Sequence, residues 1–104
     1  MTREDVLLAG ALAEALARNS TLPNMNDEAV LARAVWREML ASEPRTHDRA
    51  ILTALLASEL RNTQGGRNLA GIGLVRDVDD VARFDTVEVV GELDIASWRI
   101  AIRR

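Results

Sequence analysis

Leu8, Leu12 and Leu16 recur every four residues near the start of the chain, with Arg3, Glu14 and Arg18 set away from them. This spacing predicts an amphipathic helix over residues 3–18, with the leucines as its apolar face. Thr2 is placed to cap it, and Glu4 and Asp5 complement the positive end of its dipole. Ala9, Ala13 and Ala17 add a smooth stripe that permits close helix contact. The turn-forming residues 19–26 then read as a loop.

A second helix, capped by Asn26 or Asp27, is expected to run to about residue 41, with Leu31, Ala34, Val35 and Met39 on its core face. A third, capped by Thr46 with Asp48 in its first turn, is expected to reach about residue 62. Its apolar residues Ile51, Leu52, Leu55, Leu56 and Leu60 cover much of its circumference, which places it centrally. Gly65-Gly66 reads as its stop.

The period then shortens. Residues 69–75, 87–90 and 95–102 read as strands, and residues 77–84 as a turn or a single helical turn. Val87 and Val89 are odd-numbered, whereas Ala96, Trp98, Ile100 and Ile102 are even-numbered. A hairpin with loop 91–94 puts both sets on one face, pairing Val89 with Ala96 and Val87 with Trp98. The expected fold is therefore α+β: three N-terminal helices followed by a small antiparallel three-stranded sheet ending in a β-hairpin. It forms one domain over residues 1–104, helical over 2–63 and sheet over 67–104.

Composition narrows the chemistry. The 104 residues include no cysteine, lysine or tyrosine, and one histidine, His47. Disulfides, thiolate nucleophiles, a Schiff-base lysine and a two-histidine zinc site are absent with them. His47 has Asp48 beside it, but neighbours in a helix do not face each other. Gly65 to Gly73 fails as a phosphate loop, because Ile72-Gly73 stands where lysine and a hydroxyl residue are needed. Asp77, Asp79 and Asp80 lack the spacing and central glycine of a calcium loop. No metal and no cofactor is implied.

The net charge is −3, and every basic residue is arginine. No apolar run approaches the length of a membrane span, and the acids at positions 4 and 5 do not suit a secretory signal. A cytoplasmic protein is expected. Asn19-Ser20-Thr21 matches a glycosylation sequon but reads as part of the loop. Charge is unevenly distributed: residues 77–94 carry seven acids against Arg83 alone, whereas residues 95–104 carry three arginines and no acid. Asp77, Asp79, Asp80, Glu88, Glu92 and Asp94 thus form an acidic surface suited to a basic protein partner. Arg99, Arg103 and Arg104 could instead neutralise it from within. Trp36 and Leu40, off the main apolar stripe of the second helix, are candidate contacts of a homodimer.

These features point to a small non-enzymatic protein-interaction module of the accessory, assembly, immunity or inhibitor type. The alternative is a winged-helix-like DNA-binding regulator, which the acidic balance disfavours. An enzyme ranks behind both, since the usual nucleophile and base sets are missing.

Overall fold

The computed structural model describes residues 1–19 and 24–103. Residues 20–23, which hold two residues of the expected sequon and half of the expected loop, and Arg104 lie outside the described residues. Among the described residues the chain forms five helices and two strands. They are α1 (Arg3–Asn19), α2 (Asp27–Ala41), α3 (Arg49–Arg61), α4 (Gln64–Gly71), α5 (Val75–Val81), β1 (Val90–Asp94) and β2 (Arg99–Arg103). The fold is α+β, but with five helices and a two-stranded hairpin in place of three helices and a three-stranded sheet.

The α1–α2 contact is built on small residues. Gly10 is buried against α2, where a Cβ would lie 2.8 Å from the Cβ of Trp36 and collide with the carbonyl of Ala32. Ala11 and Ala13 are buried beside it. This close approach turns Leu8, Leu12 and Leu16 outward, each more than half exposed, contrary to the expected apolar face. It also turns Glu14 inward. Its carboxylate accepts from Arg33 Nε at 2.7 Å and from Arg18 Nε at 3.0 Å. Buried charge is tolerated only with such partners. The Arg33 guanidinium, followed by that of Arg18, holds the Glu14 carboxyl below its ordinary value.

In α2 the buried residues are Ala32, Trp36 and Met39, while Leu31 is exposed. Trp36 therefore lies in the core, stacked on Phe84 with ring centroids 5.8 Å apart, and Leu40 packs partly buried beside it. Neither is laid out on an open face. Asn26 caps α2 by accepting from the Ala29 amide at 2.9 Å. Asp48, rather than Thr46, caps α3, accepting from the amides of Ala50 and Ile51. Leu56 and Ala57 of α3 join Leu7, Ala11, Trp36, Met39 and Ala82 in the core. Leu55 is half-buried against it.

Residues 64–81, expected to hold a glycine stop, a strand and a turn, are two short helices. Thr63 caps α4 by accepting from the Gly66 amide at 3.0 Å. Gly65 and Gly66 thus start a helix instead of ending one. α5 follows after Gly73, whose φ of 80° reverses the chain. Val78 and Ala82, one turn apart, seal it to the core.

β1 and β2 pair antiparallel, with Leu93 opposite Ile100 and Asp94 opposite Arg99. The loop is 95–98, four residues later than expected. Asp94 fixes it: its carboxylate accepts from the Ala96 amide at 2.9 Å and the Ser97 hydroxyl at 2.6 Å. Trp98 closes the loop in the left-handed region (φ 54°) and is 77% exposed. Every described residue from 85 to 103 is exposed.

Candidate functional site

Polar side chains converge where the start of α1 meets α3, α4 and α5. A cavity of about 130 Å³ is lined there by Glu4, Thr63, Gly65, Gly66 and Asp77, with Leu60, Leu69, Val78 and Val81 as its apolar wall. Each polar group is delivered by a local rule. Thr2 and Asp5 close the first turn of α1: Asp5 Oδ2 accepts from the Thr2 hydroxyl at 2.8 Å and the Thr2 amide at 3.3 Å. Those bonds, the hydroxyl's first, hold the Asp5 carboxyl below its ordinary value. Glu4, between them in sequence, lines the cavity instead.

The glycine pair makes room. A Cβ at Gly65 would stand 2.5 Å from Glu4 Oε1. A Cβ at Gly66 would stand 2.8 Å from the Cα of Arg61 and strike the Leu60 carbonyl. Thr63, 4% exposed, donates its hydroxyl to the Leu60 carbonyl at 2.7 Å while accepting from Gly66. So α4 starts hard against the end of α3, with Glu4 lying over its first turn. Glu4 Oε2 is shut off from solvent with no hydrogen-bond partner among the described residues. A buried acceptor left open in this way is uncommon and costly.

Asp77 enters from the first turn of α5. On the adjoining helices, Arg61 of α3 pairs with Asp79, and Arg67 of α4 donates to the backbone carbonyl of Asn62. A second cavity of about 290 Å³ shares Glu4 and is otherwise mainly apolar, with Leu7, Trp36, Leu56 and Phe84 among its walls. The corner therefore offers two carboxylates and a close backbone.

The acidic stretch is dispersed. Asp80 pairs with Arg83 at 3.0 Å, Asp79 with Arg61, and Glu92 with Arg103 at 4.0 Å. Asp94 is occupied in the hairpin loop, its carboxyl held below the ordinary value by Ser97 and then Ala96. Glu88 is exposed in the segment before β1, and its expected neighbour Arg99 faces Asp94 instead. Asp77 alone of the six lines the cavity. His47 is exposed in the turn before α3. Among the described residues no three histidine, aspartate or glutamate side chains are grouped so as to hold a metal ion. No helix among them is long and apolar enough to cross a membrane.

A family model described as 2-phosphosulpholactate phosphatase matches residues 1–95. The chain belongs to that family. No curated protein and no solved structure matches it. The 2-phosphosulpholactate phosphatases are an enzyme family, so the reading of a non-enzymatic interaction module is overturned, and the winged-helix alternative goes with it. The error has a chemical cause. A census of cysteine, lysine, tyrosine and histidine tests for the usual nucleophiles and bases, and leaves carboxylate chemistry untested. Glu4, which lines the cavity, read in the sequence only as a first-turn acid of α1. The available signal was Thr63 followed by paired glycines, which can cap and start a helix as readily as a glycine pair can end one.

Proposed function

We propose that the chain takes part in hydrolysing the phosphate monoester of a small sulfonated hydroxy acid, in the cytoplasm, with the Glu4–Asp77 corner as the reacting site. The observation that carries this reading is the family match, whose span includes the whole corner. The geometry supports it in three ways. Glu4 lines the cavity, and its carboxylate makes no hydrogen bond through Oε2 among the described residues, which leaves it uncommitted for general-base work. Gly65 leaves the backbone bare beside it. Arg61 and Arg67 belong to α3 and α4, the helices that meet at the cavity, and guanidinium groups match phosphate, sulfonate and carboxylate by paired hydrogen bonds. In the reaction the water oxygen bonds to phosphorus and the ester P–O bond breaks. The water's proton passes to the carboxylate, and the departing alkoxide takes up a proton to become the free hydroxyl.

The test is release of inorganic phosphate from 2-phosphosulpholactate by the purified protein. Wild type should release it. Glu4→Gln should lower kcat by a factor of about 10²–10⁴, the usual range for loss of a general base, with the circular dichroism spectrum unchanged. Wild type without turnover, or Glu4→Gln with full turnover, would overturn the assignment.

A further inference from the structure

The second cavity, of about 290 Å³, reaches into the core. Five of the seven residues of the core cluster line it: Leu7, Ala11, Trp36, Leu56 and Ala82. Leu8 and Val81, both more than half exposed, and the exposed Asp5 border its open side. Protein interiors close-pack and hold few voids larger than a water molecule. An engineered apolar cavity of about 150 Å³ already takes up benzene, and small-molecule sites begin at about 300 Å³. The core of this chain thus encloses a space of ligand size.

The lining selects what enters. Aliphatic side chains and the stacked pair Trp36 and Phe84 form the walls. Water among them would lack the two to four polar partners that hold a buried water. Glu4 and Asp5 are the only polar side chains in the lining, and both are carboxylates. Among the described residues no arginine pairs with either. Glu4 Oε2 has no hydrogen-bond partner among them, and Asp5 is bonded only by Thr2 of its own turn. An anion would meet two like charges and no donor side chain. A hydrocarbon would fill the space but leave the carboxylates without a counter-charge.

We propose that this cavity is a binding site for a small apolar amine, its hydrophobic group held among Leu7, Leu56, Trp36 and Phe84 and its ammonium paired with Glu4 and Asp5. An ammonium supplies N–H donors and positive charge and no acceptor, so it complements a lining that offers acceptors alone. Its bonds to carboxylates are charge-assisted, and hence stronger than neutral ones. The cavity touches the Glu4–Asp77 corner through Glu4, Leu60 and Val81. Its ligand is opposite in charge to a phosphate ester, so the proposal stands whether or not the chain hydrolyses one.

Titration of the full chain at neutral pH tests it, with 2-phenylethylamine, 3-phenylpropionate and propylbenzene as probes. The signal is the indole N–H resonance of Trp36, told from that of Trp98 by Trp98→Phe. The amine should shift it saturably and bind about tenfold more tightly than the carboxylate, the scale of one charge-assisted hydrogen bond. Glu4→Gln combined with Asp5→Asn should weaken the amine about tenfold and leave propylbenzene unchanged, which also shows that the cavity persists. No saturable shift with the amine, tighter binding of the carboxylate, or an amine preference that survives the double variant would overturn the proposal. The wild-type ranking of the three probes decides the matter even if the double variant does not fold.

Discussion

The helices and the hairpin are both rich in apolar residues, yet they use them in opposite ways. In the helical body Leu7, Trp36, Met39, Leu56 and Ala82 meet in one cluster from four different segments. In the hairpin Leu93, Ile100 and Ile102 share a face that the chain leaves open. The body is held by burial. The hairpin is held by its ladder and by Asp94, which organises the loop through two hydrogen bonds. An apolar pattern therefore specifies which side of an element is oily, and the partner's shape decides whether that side is covered. Even within the body this holds: on α1 the covered side is the one with Gly10, Ala11 and Ala13, because small residues let α2 approach.

Substitutions in the two regions should separate cleanly. The largest effect is expected at Leu56, 6% exposed in the centre of the cluster. Leu56→Ala should lower stability by about 2–5 kcal/mol in urea unfolding. A loss as small as a surface substitution gives would remove the case for a single core.

A smaller effect is expected at Glu14. Glu14→Ala strips two charge-assisted bonds and leaves Arg33 without its carboxylate, for a loss of about 1–3 kcal/mol. The pH dependence has a definite sign. The Glu14 carboxyl is depressed in the folded state from an ordinary 4.5. Its contribution is thus whole above pH 4.5 and is lost as pH falls through the lower folded value. The wild-type midpoint should drop on acidification more steeply than that of Glu14→Gln, and parallel curves would count against the buried pair.

The smallest effect is expected at Asp94. Asp94→Ala should speed amide exchange across β1 and β2 by about fivefold and leave the helical melt in place. Acid should have the same local result, since the Asp94 carboxyl is held below an ordinary 3.8 by its loop bonds and they weaken on protonation. A shift of the helical melt in step with hairpin exchange would show that the two regions unfold together.

What could be read from the sequence follows the same division. The second and third helices were legible as helices from their apolar spacing, and Asn26 was a candidate cap of the second, but the third starts at Asp48 instead of Thr46 and the second buries Trp36 in place of Leu31. The last two helices were missed. Gly65-Gly66 suggested a stop, although Thr63 before them is a cap. Val75, Val78 and Val81–Ala82 follow a helical period across too few residues to outweigh the aspartates between them. In the hairpin, parity identified two strands and a four-residue loop, but Gly91 attracted the turn to 91–94. Asp94, which can bond its own backbone two residues on, held it at 95–98. The cavity corner was illegible for a different reason. Glu4, Gly65 and Asp77 are brought together by helix packing, and no local pattern joins residues some sixty positions apart. The acidic stretch was visible as composition, and Arg103 was among the arginines expected to neutralise it, but the pairing of Asp79 with Arg61 depended on the fold.

The junction between the two regions is small. Phe84 stacks on Trp36, and the next residue, Asp85, takes a positive φ of 51° as the chain leaves the body. Arg49, the first residue of α3, donates to the carbonyl of Asp85 at 3.2 Å and reaches that of Phe84 at 3.5 Å. An aromatic stack and a guanidinium clamp transmit little folding cooperativity between a packed body and an open hairpin. The calorimetric enthalpy of unfolding should therefore exceed the van't Hoff enthalpy, as it does for chains that melt in more than one unit.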